Sequence, residues 1–397
     1  MKVLENMNVV HINVESPFMD NSGYQETLLA NSHKKLCNNV TIINSNRVLH
    51  DDGSETLCEA GEYYNDYGVK IIRMGVYDNK NKRHIDVGGL YNILEKEMPD
   101  FIMIHGVLSF DVLAVAKYVK KKNDNCIVIA DSHATRDNAN IMLNSPKNIL
   151  FRTMIKLFNR YMSKYYQKVY GVVDDAVDVM VKYAGIPREK TEVLGLGYDD
   201  DLIDFENQIS IKTYVREKYG VPQDVILLVH GGKLNEGKQT HKLVSIMQNM
   251  EKNVHLVIFG GFDSETYKAR VLNLTKGIEE RIHVVGVLNQ KEIYELYLSA
   301  DGAVFPGTAS CLRQQAVAAG LPIVIGYNEA DTGINILING NAIYLREGWS
   351  QEELLEAIKE ICYEPEYKKR AVALGKGEYR KYSYTNQAKE MILSNLS

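Results

Sequence analysis

The sequence predicts an α/β protein of two domains, each a doubly wound parallel sheet covered by helices. Three observations lead there. The chain has 397 residues, more than one ordinary core accommodates. Short apolar runs alternate with helical periods along most of it, the pattern of successive βαβ units. And Ala300–Gly326, ADGAVFPGTASCLRQQAVAAGLPIVIG, compresses one such unit into a single stretch. Within it Ala303–Phe305 reads as a strand, Pro306–Ser310 as a small-residue turn, Cys311–Ala319 as a helix and Pro322–Ile325 as the next strand. Gly320 suits the left-handed position that closes a helix, and Pro322 cannot continue one. Ser310 or Thr308 offers a capping oxygen, and no acid occupies the turn or the helix. The bare N–H groups and the positive end of the helix dipole would suit a phosphate; an ordinary strand–turn–helix connection accounts for the same residues.

Composition narrows the function classes. A net charge of −5 and a pI near 6.1 imply no global attraction to nucleic acid. The five cysteines are scattered and form no CxxC pair, so neither a disulfide framework nor a zinc site is expected. The opening MKVLENMNVV lacks the continuous apolar core of a signal peptide, and no run of about 18 apolar residues occurs. A cytoplasmic location is the expectation.

In the first half, strands are expected at Val9–Val14, Val40–Ile43, Val69–Met74, Phe101–His105, Ile127–Ala130, Val169–Val173 and Thr191–Leu194. Helical periods lie between them, at Leu28–Leu36, Tyr91–Glu97 and Phe110–Lys121. Ligands of such sheets sit at the carboxyl ends of the strands, which singles out the loops after Val14, His105 and Ala130. The first, SPFMDNSGYQE (Ser16–Glu26), is long for a βα loop and reads as a binding loop or as a plain connection. His105 closes the fourth strand. His133 follows the fifth in DSHATRDN, flanked by Asp131 and Arg136. A lone histidine is commonly structural, but two at the ends of adjacent strands point to a shared site. No third ligand stands at a recognisable spacing, so no metal is expected.

Asn138–Val173 contains no acid and carries Arg152, Lys156, Arg160, Lys164 and Lys168 at every fourth position. Phe151, Met154, Ile155, Phe158, Tyr161, Met162 and Tyr165 supply apolar surface beside that row. This is either a surface helix packed on the sheet, or a patch for an anionic membrane in which each base contributes about 1 kcal/mol. Nucleic acid lacks a supporting motif.

GLGYDDDLIDFEN marks a change of domain, after which the alternation restarts. Strands are expected at Val225–His230, Val254–Phe259, Ile282–Val285, Ala303–Phe305, Ile323–Ile325 and Ala342–Leu345, with a final helix near Asn386–Leu396. After the first of these comes HGGKLNEGKQ (His230–Gln239). Its glycines permit close backbone approach, and Lys238 near a helix start opposes the dipole unless an anion sits nearby. A solvated basic loop is the plainer alternative. Neither a Walker A loop nor a GxGxxG fingerprint is present.

With these motifs in place, the whole chain resembles GT-B glycosyltransferases, most of all the retaining glycosyltransferase family four that builds bacterial surface polysaccharides. GGKLNEGK is similar to the family's G-R/K-L-x-x-x-K-G segment, so Gly232, Lys233 and Lys238 are expected on the donor diphosphate. GVLNQKEIYELYLSADGAVFPG resembles the stretch that reads the nucleotide base through backbone, here at Val287, and leads into the donor-phosphate loop at Ser310, Cys311 and Leu312. PDFIMIHG and ADSHATRD place His105 and His133 on histidines of the family's reaction centre. KTEVLGLGYD resembles the end of the first domain.

One departure stands out. The family carries two glutamates eight positions apart here; the second aligns with Gln315, and the loop PGTASC holds no first one. Glutamine still hydrogen-bonds a ribose hydroxyl, more weakly than a charged acceptor.

The resemblance implies two Rossmann-like domains facing a central cleft, with a C-terminal helix crossing back to the first. The expected division is an acceptor domain at 1–203, a donor domain at 204–378 and the returning helix at 379–397. It implies metal-independent transfer of a hexose from a nucleotide diphosphate sugar, UDP favoured, to a glycan or lipid-linked glycan hydroxyl, with retention and no cofactor. The acceptor is expected at Gly23, Tyr24 and Glu26, and peripheral membrane attachment through Arg152, Lys156, Arg160 and Lys164. A non-catalytic partner subunit, a nucleotide-sugar epimerase and a phosphorylase share the architecture.

Overall fold

The computed structural model describes residues 2–20, 23–50, 54–76, 84–136, 139, 145–328 and 333–396. Residues 21–22 of the first loop and 137–138 and 140–144 of the following loop and acid-free segment lie outside these. The chain divides into two compact units. One comprises residues 1–196 together with 384–397, the other 197–383.

Among the described residues the first unit has ten strands: β1 (Asn8–Asn13), β2 (Asn39–Ser45), β3 (Arg47–Leu49), β4 (Glu55–Leu57), β5 (Gly61–Tyr64), β6 (Lys70–Met74), β7 (Phe101–His105), β8 (Ile127–Ser132), β9 (Lys168–Gly171) and β10 (Thr191–Val193). Eight of them form one sheet in the order β10-β9-β8-β7-β1-β2-β6-β5, parallel except for β5. Alternation assigns the faces. Val10, Ile12, Ile102, Ile104 and Val128 enter one core, with Leu90, Leu94 and Tyr166. Val9, Ile42, Phe101, Met103 and Ile129 enter the other, against Leu28 and Leu29 of the helix Gln25–Leu36 and Tyr384, Ala388, Met391 and Ile392 of the helix Tyr384–Leu393. The β3–β4 hairpin and β5 were not expected from sequence: ETL and GEYY are exposed throughout, so they carry no burial pattern.

The second unit holds β11 (Ile226–Gly231), β12 (Val254–Phe259), β13 (Ile282–Gly286), β14 (Gly302–Phe305), β15 (Ile323–Ile325) and β16 (Ala342–Tyr344). They make one parallel sheet in the order β13-β12-β11-β14-β15-β16. In each unit the strand order reverses at one place, beside β1 in the first and between β11 and β14 in the second. These switch points are where a doubly wound sheet opens a crevice at its carboxyl edge.

The change of unit falls at residue 197, ahead of the expected 203/204, because the intervening residues are tied to the second core. Tyr198 is buried and stacks on Tyr379 at 5.8 Å, and the Asp199 N–H donates to the Tyr294 hydroxyl at 2.9 Å. Tyr198 also bridges to Ser383, so residues 379–383 belong here too and the returning helix starts at Tyr384 instead of 379.

Candidate functional site

At the second unit's switch point, the loop after β11 meets those after β12 and β14 backbone to backbone. A Cβ on Gly307 would lie 2.0 Å from the Gly237 carbonyl, and one on Gly260 only 1.9 Å from that of Gly232. Glycine is the residue these approaches admit. The site of a Cβ on Gly232, whose φ is +123°, lies 3.5 Å from Leu312, 3.8 Å from Lys238 and 3.9 Å from the Ser310 hydroxyl. Four of the sequence-predicted residues thus converge.

Lys238 donates its ammonium to the carbonyls of Thr308 at 3.0 Å and Ala309 at 2.8 Å. Burial, then the neighbouring Arg313 guanidinium, bring its pKa down to about 8. Arg313 is itself buried and donates to the Gly307 carbonyl at 3.1 Å. Glu236, the acid of this loop, is turned to Arg270 and His241. Two cations held side by side, with no carboxylate paired to Lys238 among the described residues, are costly unless an anion joins them. Arg313 escaped sequence reasoning because an arginine inside a short helix carries no pattern of its own.

Other predicted donor residues divide. Lys233 is exposed beside the loop. Val287, just past β13, is 73% exposed and would stand 3.6 Å from a Cβ on Gly261. The helix runs Leu312–Ala318, with Cys311 as its cap in a helical conformation and no side-chain cap bond. Ser310 reaches only the Leu312 N–H, at 3.4 Å, while Thr308 packs against Gly237. Gly320 closes the helix at φ +79° as its position demands. Gln315 is buried; its amide donates to Gln290 at 3.0 Å and its carbonyl oxygen has no partner among the described residues.

In the first unit, β1, β7 and β8 deliver Glu15, His105 and Asp131 to the carboxyl edge. Glu15 accepts from the Leu108 N–H at 2.8 Å. Burial raises its pKa to about 7, against that hydrogen bond and with help from the Asp131 charge. His105 is 7% exposed with both ring nitrogens engaged, to Asp131 and to His11, each at 2.9 Å. It therefore offers neither nitrogen to a ligand, and its expected place among the reacting groups gives way to a supporting one. His133, just past β8, is exposed, and its charge acts on Asp131. Arg136, its expected flank, is paired with Asp175. Tyr24 is 51% exposed, Glu26 is half-buried and Gly23 precedes them at the start of the helix Gln25–Leu36.

Around this edge lie buried polar atoms without partners among the described residues: Asp131 Oδ1, Gln25 Oε1, Asn13 Nδ2, both amide atoms of Asn44 and Ser45 Oγ. Asn13 and Asn44 are register neighbours on β1 and β2. Such groups are usually satisfied, so a polar guest or ordered water is expected among them. The sequence signal was present in NVVHIN, where His11 and Asn13 interrupt an otherwise apolar central strand.

Residues 212–387 match a family model described as glycosyl transferases group 1. A curated D-inositol 3-phosphate glycosyltransferase from Xylanimonas cellulosilytica is 24% identical over 153 residues, 36% of this chain and 37% of that protein. The chain thus matches little more than a third of that relative's length. Solved structures agree over nearly the whole chain. Anabaena Alr3699/HepE in complex with UDP and glucose is 15% identical, with a TM-score of 0.65 over 98% of this chain and 100% of that one. A glycosyltransferase from Rickettsia africae, also 15% identical, gives 0.70 over 98% of each.

The fold is GT-B.

In this GT-B chain the matched segment contains the whole Gly232–Lys238–Ser310–Arg313 cluster. The GT-B first unit carries the basic helix, which runs Pro146–Met162. Arg152, Lys156 and Arg160 lie on it, whereas Lys164 follows its end and Lys168 opens β9, paired with Glu192 at 3.0 Å. Ile155 and Met162 of the expected apolar stripe are buried, and Phe151 and Phe158 pack edge-on against Phe110. The outward apolar row is instead Leu150, Met154, Leu157 and Tyr161, 62%, 49%, 63% and 39% exposed. Among the described residues the clustered carboxylates that come near metal-ligand spacing are Asp199, Asp200 and Asp201, where Asp199 caps its own turn by accepting from the Asp201 N–H.

Proposed function

We propose that this protein is a metal-independent retaining glycosyltransferase that moves a hexose from a nucleotide diphosphate sugar, UDP-sugar favoured, to a hydroxyl of a lipid-linked glycan in surface polysaccharide assembly. The observation that carries the donor half is the pair of neighbouring cations, half-buried Lys238 and buried Arg313, at the second unit's switch point. Departure of the nucleoside diphosphate is the costly event, and preorganised positive groups at the leaving oxygens lower its barrier. Lys238, Lys233 and Arg313 take that role, Gln315 faces the ribose, and backbone near Val287 reads the base. The UDP and glucose bound by Anabaena HepE support a UDP-sugar as donor. His133 lines the sugar, and the unpartnered groups beside Asp131 receive acceptor hydroxyls together with Gly23, Tyr24 and Glu26.

The acceptor's lipid link rests on the helix Pro146–Met162. Its outward row Leu150–Met154–Leu157–Tyr161 is bordered by Lys156 and Arg160, and no acid occurs from residue 145 through 168. An apolar stripe beside bases suits an anionic bilayer surface. That stripe supports peripheral attachment on the inner face of the membrane, in the cytoplasm.

Thermal unfolding with UDP, GDP, ADP and their sugar conjugates, without metal, tests the donor half. A ligand at about 100 times its dissociation constant stabilises the fold by about 2.7 kcal/mol. A shift with one nucleotide that is lost in Lys238→Ala is the expected result. The missing acids at the donor loop favour one other reading, a non-catalytic partner subunit. Donor binding without transfer or hydrolysis identifies that case.

A further inference from the structure

Three histidines from three separate elements form one buried chain in the first unit. Asp131 Oδ2 meets His105 Nδ1 at 2.9 Å, His105 Nε2 meets His11 Nδ1 at 2.9 Å, and His11 Nε2 meets His33 Nδ1 at 2.9 Å. His33 Nε2 then meets the Ala388 carbonyl at 3.1 Å, on the returning helix. All three rings and the carboxylate are at most 7% exposed.

Proton counting decides their state. Each of the four contacts holds one proton. The Ala388 carbonyl has none to give, so His33 donates there and accepts from His11, which in turn accepts from His105. Three neutral imidazoles supply three protons; the fourth is an excess proton, shared between His105 and Asp131. We infer that His11 and His33 are positioning residues that hold His105 as a buried imidazolium and Asp131 as its carboxylate partner, beside His133.

The surroundings agree on where the charge rests. Burial opposes a charged His105, but Asp131 and then Glu26 outweigh it and raise its pKa. Burial opposes a charged Asp131 too, and His105 and His133 outweigh it. His11 falls well below its ordinary value through burial and its two histidine neighbours, and His33 falls to about 4, so neither keeps the proton. The groups facing the chain are Gln25 and Glu26 from the helix Gln25–Leu36, Glu15 past β1, the Leu29 carbonyl and the Phe101 ring. Charge on Asp131 is thereby fixed while Glu15 titrates near it.

The inference of a protonated chain stands on geometry alone; its service to catalysis rests on the transferase reading. The test is nitrogen NMR of the full chain, labelled at its ten histidines, with His105 assigned by its loss in His105→Gln. Both His105 nitrogens are expected to be protonated at neutral pH. One bare nitrogen at pH 7 overturns the inference. His33→Gln keeps a donor toward Ala388 and an acceptor toward His11, so the signature survives; His33→Leu breaks the count, and His105 becomes singly protonated. Identical behaviour of these two variants overturns the role of the chain. Should His33→Leu not fold, His11→Gln, which also keeps the count, must retain the signature, and its loss there is equally fatal. In transfer assays His33→Leu lowers kcat about tenfold or more with little change in donor KM, and His33→Gln restores it. A wild type with the signature and no transfer refutes the transferase reading and leaves the protonated chain standing.

Discussion

Glu15 carries a charge that the fold disfavours. Its carboxyl is shifted from 4.5 to about 7 by burial, so the folded chain binds a proton more tightly than the unfolded one. Stability from this group is present below the unfolded value and is lost as pH rises through the folded one. Glu15→Gln should therefore raise the melting point more at pH 8 than at pH 5, by on the order of 2 kcal/mol in stability. Equal gains at both pH values would show that Glu15 is ionised without penalty. Lys238, with its pKa at about 8, makes a second titration visible. Affinity for UDP should fall about tenfold between pH 7 and pH 9, and Lys238→Arg, always charged, should flatten the curve in calorimetric titration. Removing the group, in Lys238→Ala, should cost about 100-fold in kcat/KM. At this scale the sequence singled out what stood at a strand end or in a motif: His105, His133, Lys233 and Lys238. It did not show that His11, His33, His105 and Asp131 form one chain, because residues 11, 105 and 131 become neighbours only through parallel pairing of β1, β7 and β8, and residue 33 joins them from the helix Gln25–Leu36. It hid the Arg313–Lys238 pairing for the same reason.

Among the elements, the helix Pro146–Met162 shows how far periodicity reaches. Its cationic spacing was plain, yet one apolar stripe was expected where the structure has two, an inner one at Ile155 and Met162 and an outer one at Leu150, Met154, Leu157 and Tyr161. An amphipathic pattern that is apolar on both sides cannot be divided into core and surface until the packing is known. Leu150→Asp combined with Leu157→Asp should abolish sedimentation with vesicles containing anionic lipid and leave UDP binding intact. Lys156→Glu with Arg160→Glu should do the same, and added salt should release the wild type, since surface charge is screened within about 8 Å at physiological ionic strength. Persistent vesicle binding in both double variants would remove the membrane from the proposal. Strands were legible where they are buried on both faces: β7, β12 and β15 start and stop where alternation and apolar runs put them. The exposed β4 and β5 were not, for lack of any such pattern.

For the molecule as a whole, the chain leaves its first unit at residue 196 and returns at 384. Tyr384, Ala388, Met391 and Ile392 of the returning helix are 3%, 0%, 2% and 0% exposed. Each buried apolar side chain of this size contributes about 1.5–3 kcal/mol, alanine less, so the helix supplies much of a domain's usual margin of about 5–15 kcal/mol. A chain truncated after Ser383 should keep 197–383 folded and protected from hydrogen exchange, while 1–196 exchanges freely. Full protection of both would mean that the first unit does not need the helix. The same path sets an order in time. Translation at about 5–20 residues per second delivers the first unit's strands early, but its last helix follows the 187 residues of 197–383 by roughly 10–40 s. Throughout that interval Leu28, Leu29 and His33 await their cover, so the half of the protein made first is the half completed last, and a nascent chain held at this stage is the form that chaperones would have to guard.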